Sequence, residues 1–424
     1  MENMKNNEFK YDVAVVGAGP AGMMAAIFAA EIGARVVLIE KNQRAGKKLL
    51  LTGGGRSNFA NDQSDLRKLI ARYGKNGPFL FHSFAEFGPK EAMEFFNDLG
   101  VKTKIENNGR IFPQSDSAQE ILDALLRRAA ELNVEIIYGT KVIEIEKENG
   151  AIAKIILENA ENIIAKNYVI ATGGKSYPQT GSSGDGYKWA EFLGHKIDPL
   201  SPALAPIKME EPRIKDMAGI GLENTGISVL QNGKKIISTR GELVFTHFGI
   251  SGPAVLNISA EVAKLAKNGK IEILLDFLPD KNFEELEKEI LKNFQKNPNR
   301  GAKNCLADFV CAALAQFLAG IAQIDLQKTA GDITKQERRR LVLAMKGLKL
   351  DIGGVLPIET GMVTNGGVNI SEIDHKTMRS KIIANLYFAG EIINAHGPTG
   401  GFNLLQCWST GRLSGISAAK NVKI

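Results

Sequence analysis

Three features are scarce in this chain, and each scarcity removes a class of protein. There are three cysteines, Cys305, Cys311 and Cys407, in 424 residues. No pair of them has metal-ligand spacing, and three thiols cannot build a disulfide framework. A reducing compartment, and so a cytoplasmic location, is the expectation. No metal site is expected. Long apolar runs are also missing. The longest, 309–324, is broken by Gln316 and falls short of the roughly 20 residues a bilayer span needs. It reads as a buried helix, and no membrane partner is expected. The N-terminal MENMKNNEFK has no apolar core of a signal peptide. Excess charge is the third absence. A net charge of +6 over this length is a weak bias that suits an anionic ligand or a small-molecule substrate. It argues against nucleic acid as the partner. The one dense basic run, Arg338-Arg339-Arg340, reads as a solvated helix face. Oligomeric state is not addressed by any of these features.

Glycine, by contrast, is abundant, with 44 residues, many in short clusters of the kind that bring backbone close to a ligand. Composition is 44% hydrophobic and 24% charged, as in ordinary globular proteins. The length allows about two or three domains. Residues 11–40 read as a complete βαβ unit: the β-branched run YDVAVV, the alanine-rich PAGMMAAIFAAEIGA and the strand RVVLIE. Residues 116–132 read as an amphipathic helix with an aspartate or serine cap. Strand-like runs follow up to YVIAT, then the glycine loop TGGKSYPQTGSSGDG. Prolines 199, 202, 206 and 212 mark a change of character. GISVLQNGKKII reads as a hairpin with Asn-Gly at its turn, and 280–345 is helical in pattern. The chain ends in the strand NLYFAGE, a glycine loop and a last helix. The expected organisation is α/β, with a discontinuous Rossmann-like domain at 1–198 and 355–424. It is interrupted by a β part at 199–279 and 346–354 and a helical part at 280–345.

Between the first strand and helix lies Gly17-Ala18-Gly19-Pro20-Ala21-Gly22. Gly17 permits the tight turn, Gly19 lets backbone approach a pyrophosphate, and Gly22 allows close helix–strand packing. Glu40 ends the second strand, where its carboxylate can accept from ribose hydroxyls. This unit alone does not separate FAD from NAD. Two further glycine clusters favour FAD. Gly53-Gly54-Gly55-Arg56-Ser57 follows the first βαβ unit, and Thr399-Gly400-Gly401-Phe402-Asn403 opens the last helix, whose N-terminus would stabilise negative charge on a reduced ring. A second Rossmann unit for a nicotinamide is not legible. NAD(P)H is therefore expected, if at all, as a transient electron donor.

These segments together, GAGPAG, GKKLLLTGGGRSNFAN, ATGGKSYPQTGSSGDGY, GELVFTHFGISGP and YFAGE with GPTGGFNLLQCWSTG, resemble the BaiN/YhiN-type flavoprotein family nearly end to end. That family includes enzymes acting on dehydro-bile acids and aminoacetone oxidases. The resemblance implies non-covalent FAD in a Rossmann-like domain and an insert of a β-barrel and a helical part. It implies that Gly17, Gly19, Ala21 and Gly22 take the pyrophosphate and Glu40 the ribose. Lys48, Thr52, Gly54, Arg56, Ser57 and Asn58 would lie along the flavin, and Thr172, Gly173 and Gly174 near the adenine side. Gly390, Glu391, Thr399, Gly401, Phe402 and Asn403 would hold the ribityl chain and isoalloxazine. Pro20, Lys41, Gly53 and Gly400 complete the expected cofactor set. Two departures stand out. Family loops often read GGGRCN, and Ser57 here excludes a catalytic thiol at that place. Many relatives carry acids after the Gly-Glu pair, where this chain has Asn394 and His396. A histidine charged near neutrality at 396 would favour a reduced, anionic flavin. Arg56, Tyr177, His247 and His396 are the candidates for catalysis or substrate contact. The expected function is two-electron oxidoreduction, either NAD(P)H-linked reduction of an activated double bond or oxidation of a small amine. A flavin-binding protein with an interaction or RNA-linked role is the alternative.

Overall fold

The computed structural model describes residues 9–422. The chain divides into two compact units. One runs up to Ser201 and resumes at Ile358, and the other spans Pro202–Pro357. The first is built on a five-stranded parallel sheet. Its order is Leu386–Phe388, Ala165–Ile170, Tyr11–Val16, Val36–Glu40 and Glu135–Tyr138. The central strand Tyr11–Val16 is buried at every position, which explains its β-branched and apolar run from Val13 to Val16; Asp12, near its start, is paired with Arg35 and Lys166. The first helix, Pro20–Glu31, packs against the last, Phe402–Lys420. Small residues permit the close approach. A Cβ at Gly411 would stand 2.4 Å from Ala21 O, and one at Gly415 2.2 Å from Ala25 O. The C-terminal segment thus completes the sheet and covers it.

The second unit holds a closed six-stranded barrel, in the order Ile207–Met209, Gly249–Ser251, Lys234–Thr246, Gly221–Gln231, Ile271–Asp276, Leu348–Val355. Asn232 (φ 52°) and Gly233 (φ 73°) make the hairpin turn, as the Asn-Gly pair predicts. Helices Phe283–Lys296, Ala302–Leu306, Ala312–Ile321 and Lys335–Gly347 follow. Their buried residues join those of the barrel in one hydrophobic core. The insert is therefore one folding unit, where the sequence reading divided it at 279 and 345. It also extends past residue 354, because Val355 still pairs with Ile207 and Leu356 N donates to Pro206 O.

Two sequence expectations are corrected. The apolar run 309–324 contributes a helix only over Ala312–Ile321. Arg338-Arg339-Arg340 is a solvated face at Arg339 and Arg340, which are exposed, but not at Arg338. Arg338 is 9% exposed and faces Glu287, and Arg340 Nε donates to Ala322 O at 2.8 Å. Their helix packs on the helix Phe283–Lys296, so the run straddles its buried edge. Among the described residues, no helix is long and apolar enough to cross a membrane, and no cluster of His, Cys, Asp or Glu could hold a metal.

Candidate flavin site

Ligands of open α/β sheets bind beyond the carboxyl ends of the strands, and the expected cofactor residues gather there. Gly17 (φ 103°) turns the chain out of the first strand, and a Cβ on it would sit 2.7 Å from Ala171 O. At Gly22 a Cβ would sit 1.8 Å from Gly17 O, so only glycine lets helix and strand pack. Gly19 differs. Its backbone is ordinary (φ −80°) and a Cβ there meets nothing within 4 Å. That open space lies at the start of the helix. Pro20 has no N–H, which leaves Ala21 and Gly22 as the first free donors, backed by the helix dipole. An open helix start of this kind suits an anionic ligand.

Glu40 is 8% exposed. Its Oε2 accepts from Ala18 N at 3.0 Å, and its Oε1 accepts from Asn42 N and Asn42 Nδ2 at 2.9 and 2.7 Å. The carboxylate therefore braces the glycine turn. With about four acceptor sites on a carboxylate, one remains for a ribose hydroxyl. Lys41 binds Ser183 and Asp185, the latter at 2.8 Å. Burial would raise the Asp185 pKa, but Lys41 and Ser183 hold it below the usual carboxylate value.

The second glycine cluster forms a tight turn, Leu49–Gly55, with Gly53, Gly54 and Gly55 all at positive φ. Lys48 stands at its start. Its Nζ donates to Ser176 Oγ at 2.7 Å and Glu391 Oε2 at 2.8 Å. Glu391 Oε1 accepts from Thr364 N at 2.9 Å and from Ser176 Oγ at 3.1 Å. A Cβ at Gly174 would stand 2.4 Å from that same oxygen. Glu391 is thus a hub joining the flavin loop, the loop after Ala165–Ile170, the strand Val363–Val368 and the sheet edge. Sequence reading placed Lys48 and Glu391 separately in the cofactor set. It missed Ser176, Thr364 and Asn42, which carry no motif of their own.

The remaining residues bind one another more than they face open space. Thr52 Oγ1 donates to Leu49 O at 2.7 Å. Ser57, at φ 58°, is fully buried with an unpartnered Oγ, as is Thr172 Oγ1. Gly173 (φ 73°) leaves room for Ser182. The Asn58 amide, oriented to satisfy its neighbours, accepts from Gly401 N at 3.1 Å and donates to Ala60 O at 3.0 Å. Asn403 clamps the loop before it, accepting from Gly397 N and donating to Gly397 O, both at 2.9 Å. Gly400 (φ 109°) and Gly401 (φ 98°) start the last helix. A Cβ on Gly401 would stand 2.0 Å from Ala60 O. Phe402 is buried, and its carbonyl accepts from Tyr73 OH at 2.7 Å. Gly390 (φ 77°) leaves space that Ala21 would deny a side chain.

The catalytic candidates separate. Arg56 lies 4.2 Å over Phe112 and is held by Glu106 and Asp116, which raise its pKa further. His247 is at an exposed turn of the barrel, in the other unit. His396 is half-buried, and burial lowers its pKa against the opposing pull of the Glu391 carboxylate. That direction runs against the expectation of a charge near neutrality. Tyr177 follows Ser176 directly, in a left-handed conformation (φ 53°, ψ 59°). Burial, aided by Glu391, pushes the Cys407 thiol up to about 12, so it stays protonated and inert.

With this geometry, comparison with known proteins is decisive. Residues 11–417 match the HI0933-like protein Rossmann domain. The chain belongs to this family. It is an FAD-dependent oxidoreductase. A 3-dehydro-bile acid delta(4,6)-reductase of Clostridium scindens is 30% identical over 96% of this chain and 99% of its own. A ribosomal RNA dihydrouridine synthase of Escherichia coli K12 is 30% identical over 95% of this chain and 96% of its own. A 3-ketosteroid-Δ4-(5α)-dehydrogenase structure from Rhodococcus jostii RHA1 has the same fold, with a TM-score of 0.57 at 16% identity. That match covers 98% of both chains.

The residues present fit the cofactor. The open cradle at Gly19, the donors of Ala21 and Gly22 and the remaining acceptor capacity of Glu40 suit the dinucleotide half. The helix start at Gly401–Phe402 suits an electron-rich ring.

Proposed function

We propose that this HI0933-like flavoenzyme reduces a carbon–carbon double bond conjugated to a carbonyl, using FAD held non-covalently. One observation carries the reading. The two relatives at 30% identity, each covered almost completely, are named for this same bond change. A delta(4,6)-reductase acting on a 3-dehydro bile acid saturates a double bond conjugated to a ketone. A dihydrouridine synthase saturates the uracil double bond conjugated to its ring carbonyl. The substrates differ greatly in size, but the reacting group is shared. RNA, which the charge balance argued against, therefore returns as a candidate substrate alongside steroid-like enones. A reduced nicotinamide is the proposed transient donor.

Bound flavin would supply the two-electron chemistry. The chain's own contribution is placement. The Gly19 cradle and helix dipole would hold the phosphates, Glu40 the ribose, and the Lys48–Glu391–Ser176 hub the flavin loop. The flavin-loop position 57 is serine, and Cys407 is held as a neutral thiol, which supports non-covalent attachment.

Acid precipitation should release intact FAD into the supernatant. The holoenzyme, reduced anaerobically with dithionite, should then be reoxidised by 4-androstene-3,17-dione or by a uridine-containing ribosomal RNA transcript. Reoxidation by oxygen alone, with flavin reduction by aminoacetone, would replace this reading with an amine oxidase.

A further inference from the structure

Eleven described residues other than glycine have positive φ, and five of them are Asn or Asp, which tolerate that conformation. Tyr177 is the one aromatic among them. Its conformation is costly twice over. A left-handed residue with a Cβ is disfavoured by about 1–2 kcal/mol, and the ring of the following Pro178 crowds the preceding residue out of helical conformations. Three backbone hydrogen bonds pin it there. Tyr177 N donates to Glu359 O at 3.1 Å, and Tyr177 O accepts from Thr180 N at 2.9 Å and Thr180 Oγ1 at 2.7 Å. Glycine would adopt the same backbone without strain. The side chain is therefore what the position retains.

That side chain is uncommitted. By contrast, Tyr73 OH donates to Phe402 O and Tyr187 OH to Glu391 O. The half-buried Tyr177 phenol has no hydrogen-bond partner among the described residues. It lies one residue beyond Ser176, which is bound to both Lys48 and Glu391 at the cofactor hub. Strain held beside the Lys48–Glu391–Ser176 cluster around a free polar group is a mark of function.

We propose that Tyr177 is the hydrogen-bond donor to the substrate carbonyl. This rests on the double-bond reading. In that reaction the carbon β to the carbonyl gains a hydride from the reduced flavin. The π electrons move onto the carbonyl oxygen, and the α carbon then takes a proton from solvent. The flavin is oxidised by two electrons and the double bond is reduced by two. The Tyr177 O–H would hold the oxygen while it carries the negative charge, keeping its own proton.

The test uses dithionite-reduced holoenzyme mixed anaerobically with 2-cyclohexen-1-one and with 4-androstene-3,17-dione. Flavin reoxidation is followed in wild type, Tyr177→Phe, Tyr177→Ala and Tyr177→Gly. Tyr177→Phe should slow the saturated rate about 10²-fold, as loss of one oxyanion donor does. Half-saturation should change less than about threefold, with the FAD spectrum and retention unaltered. Thermal unfolding of the apoproteins gives an activity-independent readout. Tyr177→Gly should melt at or above wild type and about 2–4 °C above Tyr177→Ala, the reverse of the usual alanine–glycine order. Wild-type rates in Tyr177→Phe would overturn the donor role. Tyr177→Ala as stable as Tyr177→Gly would overturn the strain argument. Wild-type reduced flavin that neither enone reoxidises would sink the double-bond reading itself, and with it the substrate on which this role depends.

Discussion

Removing Lys48 should expose how much the flavin loop depends on one half-buried ion pair. In Lys48→Met, Glu391 Oε2 loses its partner while Oε1 stays bonded to Thr364 N and Ser176 Oγ. The Glu391 side chain is 11% exposed and the Lys48 side chain 22%. Breaking a fully buried pair costs about 3–5 kcal/mol, because one charge is left unpaired in a poor solvent. Partial exposure of the lysine and the surviving bonds to Glu391 reduce that to about 2 kcal/mol. For a unit of this size, about 2 kcal/mol corresponds to roughly 4–8 °C in Tm. The assay is a double-mutant cycle on the apoprotein, with Lys48→Met, Glu391→Leu and the pair, read by circular dichroism melts. The pair should recover at least half of the larger single loss, since both charges are then gone. Raising salt from 0.05 to about 0.5 M should move wild type little, because buried pairs are poorly screened. Strict additivity of the two single losses would refute the coupling, and with it the hub.

Three further outcomes are expected. Gly22→Ala should destabilise the apoprotein, since its Cβ would overlap Gly17 O at 1.8 Å, whereas Gly19→Ala should leave apo Tm unchanged and weaken FAD binding about 10²-fold by titration. Equal apo Tm values for the two would contradict the cradle. His195 Nε2 is hydrogen-bonded with Ser380 Oγ at 2.8 Å and Nδ1 faces Glu372 at 3.2 Å, and burial lowers its pKa below the ordinary 6.5. Unfolding therefore takes up a proton, and its contribution is present above pH 6.5 and lost on acidification below it, by at most about 1.4 kcal/mol per pH unit. Melts from pH 7.5 to 5 should show a shallower acid slope in His195→Gln, and parallel slopes would clear His195. Brief iodoacetamide treatment of native protein should label the exposed Cys311 and spare Cys305 and Cys407, with peptide mapping as the check.

What the sequence made legible followed from period and punctuation. The buried strand Tyr11–Val16, the glycine turn and the Asn-Gly hairpin each leave a local signature, because backbone conformation and burial constrain adjacent residues directly. Glu391 was legible as part of a strand-end pair, but its bonding was not. Lys48, Ser176 and Thr364 reach it from three distant segments, and long-range contacts have no sequence period. The same limit explains Arg338. A run of three arginines reads as surface until the opposing helix with Glu287 is placed. His396 is a related case. The burial that lowers its pKa comes from long-range packing, and residue type alone predicts the solvent value.

The interruption of the sheet unit at Ser201 and its resumption at Ile358 bear on how the chain is made. The strand Leu386–Phe388 and the helix Phe402–Lys420 are needed to close the cofactor unit, and they leave the ribosome after the insert. The insert is continuous in sequence and has its own core, so it can fold while the earlier half waits. At about 5–20 residues per second, that wait is on the order of ten to forty seconds. Through it, the strand Ala165–Ile170 lacks its outer neighbour, and the face of Pro20–Glu31 that meets the last helix lacks its final cover. During synthesis, that unpaired strand edge is where the nascent chain is most open to chaperone binding and to mispairing.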